Sequence, residues 1–402
     1  MLKKHFIYLK DILIIGLTAF GGPQAHLSMM LEVLVEKRNY FSREEVLETY
    51  AVCQLLPGPG STQTITALGL KRGGRFLAVL SLLIWILPAC VFMSGVAVVL
   101  AIFNREHFDL RFLIFVQPMA IGFILFTGYR VGKTVIRNYT SLFVLLLSMS
   151  MALLIPSPFT FPFCLLGGAL ISIFAKEPQG QVRQAVVKEK IRWTQSWFSL
   201  VLFLFFLILL IVLSAVYLTP FTKMLENFYR FGSLTYGGGS VMVPMMFEQF
   251  VKHHHYIDYR DFMTGLAVTS AIPGPLFSFA TFAGGMSFST MIGPRYVLLG
   301  CVAGTVCIFL PSILLVFVIF PIWGYIKNFR VIRRSIDGIN ASATGLVFAS
   351  AFILYKDLNF YYSNLVVIVA TFVLLRFTKI SAPVLVLAGL VAGFIWSHFA
   401  AR

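Results

Sequence analysis

Long stretches of apolar residues alternate with short polar loops along the whole chain. Several stretches approach or exceed the roughly 20 residues that a helix needs to cross the hydrocarbon core of a bilayer. Examples are Ile7–Phe20, Leu77–Phe103, Ser141–Ile155, Trp197–Leu218, Val297–Ile322 and Leu365–Leu375. The pattern predicts an all-α polytopic membrane protein with about 13 hydrophobic segments.

The second half of the chain repeats the first. When residue n is placed over residue n + 216, glycines, prolines and a glutamate coincide without a gap. The matched pairs include Gly16 with Gly232, Glu32 with Glu248, and Pro57-Gly58-Pro59 with Pro273-Gly274-Pro275. Chance similarity between apolar stretches would not match these residue types in register. We therefore predict a first repeat over residues 1–175, a linker with an extra membrane helix over 176–220, and a second repeat over 221–402.

Glycine and proline interrupt the first two hydrophobic stretches of each half. The four interruptions are Gly21-Gly22-Pro23, Pro57-Gly58-Pro59-Gly60, Gly237-Gly238-Gly239 and Pro273-Gly274-Pro275. Proline removes a backbone donor and ends the preceding helix, and glycine permits the turn that follows. The stretches are therefore predicted to be broken or re-entrant helices. Between the first two stretches, Ser42-Arg43-Glu44-Glu45 has the pattern of a helix-capping box.

The extra hydrophobic segment Trp197–Leu218 separates two halves that each have six segments. An odd helix between two such halves places them in opposite orientations, so the repeats are predicted to be inverted. If only one broken stretch in each half is re-entrant, this argument fails.

Composition supports a membrane protein and excludes several other classes. The chain of 402 residues is 58% hydrophobic and only 12% charged, which is unlike a soluble or a disordered chain. The net charge of +16 lies mainly in short loops between apolar stretches, as the positive-inside rule describes, so we predict no nucleic-acid partner. The five cysteines form no C-x-x-C pair, and we predict no disulfide, no metal site and no cofactor.

Inverted repeats with interrupted helices are typical of secondary transporters. Each half-helix that follows a break presents its positive N-terminal end, which suits an anion, especially a small tetrahedral oxyanion. The predicted substrate-binding residues flank the breaks. They are Gly21, Gly22, Gln24, His26, Gln54, Pro57, Gly58, Pro59, Ser61, Thr62, Gly237, Gly238, Gly239, Ser240, Pro273, Gly274, Pro275 and Ser278.

Other polar residues have two interpretations each. Glu32 and Glu248 recur at one repeat position and could couple transport to protons, or could lie near the membrane surface. Lys71, Arg72 and Arg75 could attract anions at the cytoplasmic mouth, or could form an ordinary positive-inside loop. His26 could contact the substrate or form a structural hydrogen bond.

The interrupted motifs resemble those of the chromate transporter family, in its long two-domain form. The resemblance is carried by Phe20-Gly21-Gly22-Pro23-Gln24-Ala25-His26, Leu55-Leu56-Pro57-Gly58-Pro59-Gly60-Ser61-Thr62-Gln63, Leu87-Pro88-Ala89, Tyr236-Gly237-Gly238-Gly239-Ser240, Pro273-Gly274-Pro275-Leu276-Phe277 and Phe309-Leu310-Pro311-Ser312. It implies membrane transport of chromate, usually outward, with sulfate as the chemically similar anion.

We therefore expect a secondary transporter of chromate or a sulfate-like oxyanion, in contact with lipid in the bacterial inner membrane, where efflux would give chromate resistance. Rocking of one half against the other would give alternating access. An anion channel and a carrier for a different anion remain alternatives, and a homo-oligomeric state is left open. The motifs of a membrane enzyme, H-E-x-x-H and G-x-S-x-G, are absent from the sequence, so we expect no enzymatic activity.

Overall fold

The computed structural model describes residues 2–19, 23–54, 56–102, 114–155, 160–175, 193–236, 238–323, 330–358, 362–378, 380 and 382–399. Within these ranges the chain forms helices and no β-strand, which confirms the predicted all-α fold. Residues 176–192 of the predicted linker lie outside the described ranges.

The described residues of the first half form seven α-helical elements. They are α1 (Leu2–Thr18), α2 (Pro23–Met30), α3 (Arg43–Gln54), α4 (Gly60–Ile102), α5 (Val116–Val135), α6 (Tyr139–Leu154) and α7 (Thr160–Phe174). A π-helical segment, Leu31–Lys37, continues α2. The predicted capping box at the start of α3 is confirmed, because Ser42 Oγ accepts from Glu45 N at 3.1 Å and Glu45 Oε2 accepts from Ser42 N at 2.8 Å.

The second half follows the same plan after the extra helix, α8 (Trp193–Tyr217). Its helices are α9 (Pro220–Leu234), α10 (Gly239–Met246), α11 (Tyr259–Ala271), α12 (Phe279–Ile292), α13 (Val297–Ile319), α14 (Arg330–Asp357), α15 (Tyr362–Phe377) and α16 (Ala382–Phe399). A π-helical segment, Phe247–His253, continues α10, and short 3-10 turns at Leu276–Ser278, Pro294–Tyr296 and Phe320–Ile322 flank α12 and α13.

The backbone repeats at the same spacing as the sequence. The two π-helical segments begin and end at equivalent positions, and each is followed by a left-handed residue, Asn39 at φ 50° and His255 at φ 52°. Gly58 and Gly274 share φ 112°. A repeated π-helix with a repeated left-handed turn is an uncommon combination. This agreement supports a common origin for the two halves, and the residue boundaries between them stay a prediction.

The loop predicted at Lys71–Arg75 appears in the structure as a sharp bend. Gly73 and Gly74, with φ −154° and φ 75°, leave the helical conformation, so α4 consists of two helical segments that meet at this bend. The second segment runs back along the first, because the Trp85 indole N–H reaches Thr62 Oγ1 at 3.1 Å although 23 residues separate the two. Glycine tolerates the positive φ of Gly74 without a steric penalty, which allows this reversal.

Helices of one half pack on helices of the other. In the first half, α4 packs on α12 and α13, and α5 packs on α15. In the second half, α14 packs on α6 and α7. Close approach depends on glycine at equivalent positions, because a Cβ on Gly122 would stand 2.7 Å from Thr371 Cβ and one on Gly345 would overlap the Leu145 carbonyl. The two sequence repeats are therefore interlocked and do not form two separate bodies.

Among the described residues, four helical stretches are long and apolar enough to cross a membrane by length and composition. They are Gly60–Ile102, Ser196–Tyr217, Pro294–Ile322 and Arg334–Lys356, and five shorter apolar helices accompany them. The outer surface carries many exposed large apolar side chains, such as Leu83, Val91, Phe205 and Val366. A soluble monomer rarely exposes apolar surface on this scale, so the surface is that of a multi-pass membrane protein.

Candidate functional site

The four helix breaks meet in two pairs, and each pair joins the two halves. The backbone N–H of Gly58 donates to the Thr235 carbonyl at 2.7 Å, and the N–H of Gly274 donates to the Ala19 carbonyl at 3.1 Å. The donors occupy one repeat position and the acceptors another. We call these contacts the Gly58 pairing and the Gly274 pairing. They satisfy backbone groups that lipid could not.

The flanking prolines and the central glycine explain why the chain breaks at these places. Pro57 and Pro59 lack the N–H groups that would continue a helix, and Gly58 takes a backbone conformation that residues with a side chain rarely adopt. The Gly58 N–H thus points away from its own helix toward the other half. The same reasoning applies to Pro273, Gly274 and Pro275.

Polar side chains surround the Gly58 pairing. The position that a Cβ on Gly58 would occupy lies 2.7 Å from Ser312 Oγ and 3.0 Å from Gln63 Nε2. Gln63 Nε2 also donates to the Pro57 carbonyl at 2.6 Å. Ser312 and Gln63 are each 1% exposed, yet Ser312 Oγ and Gln63 Oε1 find no hydrogen-bond partner in the described part of the chain. Buried polar atoms are normally paired, which makes these two atoms candidates for contact with a ligand.

The Gly274 pairing has an apolar environment. A Cβ on Gly274 would stand 2.9 Å from the methyl group of Ala89, the repeat counterpart of Ser312. The counterpart of Gln63 is Phe279, which is fully buried. The two pairings thus have the same backbone arrangement, while the side chains at these two positions differ in chemistry. The Gly58 pairing has two unpaired polar side chains there, and the Gly274 break has the buried Ser278 hydroxyl, which also lacks a partner among the described residues.

A buried hydrogen-bonded group braces the start of α4. His26 Nδ1 lies 3.0 Å from Ser61 Oγ, and the Trp85 indole N–H donates to Thr62 Oγ1 at 3.1 Å. The His26 and Trp85 rings meet edge to face with centroids 5.1 Å apart. The predicted residues His26, Ser61 and Thr62 therefore lie together at the N-terminus of α4.

Gln54 closes the other side of this N-terminus. A Cβ on Gly60 would stand 3.0 Å from Gln54 Oε1 and 3.1 Å from Gln54 Nε2, so the amide packs flat against the first residue of α4. A side chain at Gly60 would displace it. Gln54 therefore packs on Gly60, the residue that follows the Pro57–Pro59 turn.

The predicted residues of the second half are less polar in their surroundings. Gly239 begins α10 and faces the side chain of Leu276, whose Cβ would stand 2.7 Å from an added Cβ. Gly238 precedes it with φ 88°. Ser278 is fully buried, and its Oγ lacks a partner among the residues that the structure describes.

For five of the predicted substrate-binding residues, the whole residue or its side chain lies outside the part of the chain that the structure describes. Gly21, Gly22 and Gly237 lie outside the described residues, and so do the side chains of Gln24 and Ser240. Their roles stay predictions.

Lys71, Arg72 and Arg75 contact aromatic rings near the bend in α4. The Arg72 guanidinium lies 3.9 Å from the Tyr40 ring centroid and 5.2 Å from that of Tyr8. Lys71 and Arg75 lie over Phe320 and Phe317 at 5.4 and 5.5 Å. Cation–π contacts of this kind hold the bend against its neighbours. The proposed attraction of anions by these three residues stays a prediction.

The two repeated glutamates lie on the π-helical segments and pair with lysines. Glu32 Oε1 lies 2.6 Å from Lys37 Nζ, and its side chain is 51% exposed. Glu248 Oε1 lies 3.4 Å from Lys252 Nζ, and its side chain is only 12% exposed. Of the two, Glu248 is in the more buried environment.

Sequence analysis did not assign Ser312 or Thr235 to the site. The sequence did contain an indication for Ser312. When the repeats are aligned, Pro311-Ser312 matches Pro88-Ala89, so a hydroxyl follows the proline in the second half and not in the first. Thr235 acts through its backbone carbonyl, and no side-chain pattern could have indicated it.

Comparison with known proteins gives a family and related transporters. An uncharacterized transporter of Methanocaldococcus jannaschii is 25% identical over 388 residues, covering 95% of this chain and 92% of the relative. The chromate transport protein of Cupriavidus metallidurans is 24% identical over 401 residues, covering 95% and 90%. The chromate transport protein of Pseudomonas aeruginosa is 24% identical over 357 residues, covering 83% and 77%. No solved structure is significantly similar to the chain.

The sequence profile of the chromate transporter family matches residues 8–173 and 222–394, which together include every described helix break and both pairings. Since the two matches span most of the chain, this protein belongs to the chromate transporter family.

Proposed function

We propose that this chain is a secondary transporter of chromate or a related tetrahedral oxyanion, and that the anion binds at the Gly58 pairing. The observation that carries the proposal is the unpaired Ser312 hydroxyl, which is fully buried beside a helix break. Relatives that cover most of this chain are named chromate transport proteins, which supports the choice of anion.

The chemistry of the Gly58 pairing fits an anion. The α4 helix begins at Gly60, and its first N–H groups carry partial positive charge. The Ser312 hydroxyl can donate one further hydrogen bond from the opposite half. A site with few fixed charges also suits transport, because an anion that binds too tightly would not be released.

The interlocked helices change the expected motion. A rigid rocking of residues 1–175 against 221–402 would have to break both cross-half hydrogen bonds and separate α5 from α15 and α14 from α6. We therefore propose that the moving units combine elements of both repeats. One unit contains α1–α4 with α9–α13, and the other contains α5–α7 with α14–α16.

We further propose outward transport through a bacterial inner membrane, which would give chromate resistance. Moving one charge across the membrane is worth about 2.3 kcal/mol per 100 mV, so a negative interior favours anion exit. No catalytic role is proposed.

Counterflow in proteoliposomes tests the transport proposal. Vesicles loaded with unlabelled chromate or sulfate should stimulate entry of labelled chromate, and comparison of the two loads ranks the anions. Ser312→Ala should reduce this entry several-fold because it removes a donor to the anion. Ser287→Ala is the matched control, since Ser287 is also fully buried on a helix with an unpaired hydroxyl but lies away from the breaks.

The outcomes separate the alternatives. Stimulated entry that Ser312→Ala reduces and Ser287→Ala preserves supports a carrier with its site at the Gly58 pairing. Downhill chromate flux without counterflow supports an anion channel. Binding and transport of some other anion but of neither chromate nor sulfate would show a carrier of different specificity.

Glu32 and Glu248 remain candidates for proton coupling. Because Glu248 is the less exposed carboxylate, we expect Glu248→Gln to reduce chromate-driven proton movement more than Glu32→Gln. A pH-sensitive dye inside the vesicles measures this. Equal and unaltered proton movement in both variants would remove the pair from the mechanism.

A further inference from the structure

We propose that the Gly58 pairing binds the singly protonated form of the oxyanion, such as hydrogen chromate, and that Gln63 selects it by accepting a hydrogen bond from the anion's own O–H group. This inference rests on the proposed transport function and names the chemical form of the substrate.

The orientation of the Gln63 amide is determined by its neighbour. The oxygen and nitrogen of an amide are hard to distinguish by shape alone. Here the Pro57 carbonyl, 2.6 Å from the amide, can only accept a hydrogen bond. The nitrogen must therefore face Pro57, and the oxygen Oε1 is left as a buried acceptor.

This acceptor has no partner within the described ranges of the chain, although Gln63 is 1% exposed. A buried unpaired acceptor destabilises the fold, so it is expected to gain a donor from a ligand. Ser312 Oγ, also unpaired within the described ranges, and the Gln63 amide nitrogen approach the position that a Cβ on Gly58 would occupy, at 2.7 and 3.0 Å. Oε1 is bonded to the same carbon as that nitrogen, so the hydroxyl and the amide that carries the acceptor both belong to the Gly58 pairing.

A fully deprotonated oxyanion does not match this pair of groups. All oxygens of the dianion are acceptors, so one of them would face Gln63 Oε1 without a hydrogen between them, which is repulsive. A singly protonated anion supplies the missing hydrogen to Oε1 and keeps three oxygens for the Ser312 hydroxyl and the first N–H groups of α4. Complementarity of this kind gives selectivity through the mismatch that the wrong ligand suffers.

The same acceptor discriminates between anions of similar shape. Chromate takes up one proton close to neutral pH, whereas sulfate remains a dianion until the solution is far more acidic. The two ions are both tetrahedral, so shape separates them poorly, and a group that senses the proton separates them well.

The second pairing does not repeat this site. At the Gly274 pairing, Phe279 replaces Gln63 and Ala89 replaces Ser312, so the amide acceptor is absent and no hydroxyl stands at the Ser312 position. The repeat therefore supplies two similar backbones, of which one carries the selective groups.

The experiment measures counterflow of labelled chromate in proteoliposomes of the full chain, at micromolar chromate and at equal internal and external pH, from mildly acidic to mildly basic. Sulfate and perrhenate are added as competitors. Sulfate tests the dianion, and perrhenate is a tetrahedral monoanion that carries no proton. We expect entry to follow the protonated fraction of chromate, and we expect more than tenfold weaker competition from both unprotonated anions.

Gln63→Met tests the residue, since methionine has a similar length and cannot accept the hydrogen bond. We expect it to flatten the pH profile of chromate entry and to narrow the gap between chromate and sulfate. Gln249→Met, another buried glutamine on the π-helical segment Phe247–His253, should keep the wild-type profile.

Two results would overturn the inference while leaving the transport function intact. One is chromate counterflow that does not change with pH, and the other is perrhenate or sulfate competing as well as chromate does. Both use the unaltered protein, so they stand even if Gln63→Met fails to fold. If labelled chromate shows no counterflow at any pH, the proposed function itself fails and the inference fails with it.

Discussion

The Gly58 N–H donates a 2.7 Å hydrogen bond to the Thr235 carbonyl, so the second break of the first half is completed by the first break of the second half. Gly274 and Ala19 repeat this relationship at 3.1 Å. The N–H of each central glycine thus finds its partner in the other half of the chain. The duplicated breaks are joined to each other across the two halves.

Gly58→Ala and Gly274→Ala should lower the stability of the protein by similar amounts, but they should differ in their effect on transport. Both residues have φ 112°, where an alanine side chain costs about 1–2 kcal/mol. The added methyl group would stand 2.7 Å from Ser312 Oγ in Gly58→Ala and 2.9 Å from Ala89 Cβ in Gly274→Ala. We expect similar losses in thermal stability in detergent, and a larger loss of chromate counterflow for Gly58→Ala.

Gly95→Ala is the control for this pair, because it lies within α4 and a Cβ there would meet no atom within 4 Å. It should keep both stability and counterflow. Greater loss of counterflow in Gly274→Ala than in Gly58→Ala would place the substrate at the other pairing.

Replacement of two adjacent glycines on α7 by alanine should change stability at one position and not at the other. A Cβ on Gly168 would overlap Ser342 Oγ and would lie 2.7 Å from the Gly338 carbonyl, both on α14, whereas a Cβ on Gly167 meets nothing within 4 Å. We expect Gly168→Ala to lower stability by about 1–3 kcal/mol, as overpacked sites do, and Gly167→Ala to be neutral. Thermal unfolding of the two purified variants measures the difference, and equal stability would argue against close packing of the two halves.

Trp85→Phe should weaken the brace at the start of α4. The change keeps a ring beside His26 but removes the N–H that donates to Thr62 Oγ1 at 3.1 Å. The Thr62 hydroxyl, fully buried, would lose this donor at a cost of about 1–3 kcal/mol. We expect a lower melting temperature and weaker protection by added chromate. If chromate protects Trp85→Phe against thermal unfolding as well as it protects the unaltered protein, the hydrogen bond between Trp85 and Thr62 does not contribute to anion binding.

Arg38 should stabilise the fold by pairing with the buried Asp11 carboxylate. Asp11 is 2% exposed and accepts hydrogen bonds from Arg38 at 3.0 Å and from the Tyr40 hydroxyl at 2.7 Å. Arg38→Ala removes the guanidinium that faces this buried carboxylate, and we expect a lower melting temperature, although the partial exposure of Arg38 to water limits the effect.

Adding Asp11→Asn to Arg38→Ala should restore most of the stability, since the buried charge is then removed. Asparagine also stands at the equivalent position, Asn227, in the second half. Lys37→Ala is the matched control, because its ion pair with Glu32 is exposed and such pairs contribute little. Failure of the double variant to regain stability would mean that the arginine acts through packing and not through charge.

The sequence located the helix breaks because proline and glycine act locally. A missing N–H at Pro57 or a positive φ at Gly58 interrupts a helix wherever the segment lies. The same holds for the capping box at Ser42 and for the apolar stretches that became α6, α13 and α15. The Gly73-Gly74 pair between basic residues likewise predicted the place where the chain reverses within α4, since two adjacent glycines interrupt a helix locally.

The sequence by itself therefore determined the class of fold, the repeat and the positions of the breaks, all of which depend on residues close together in the chain. The tertiary structure decided which breaks meet, that Ser312 of the second half faces Gly58 of the first, and that one of two similar pairings is polar. These contacts join residues of opposite halves that lie far apart along the chain, and they depend on how helices of one half pack between helices of the other. A local pattern carries no information on such packing, because the same apolar face can be buried against many different neighbours.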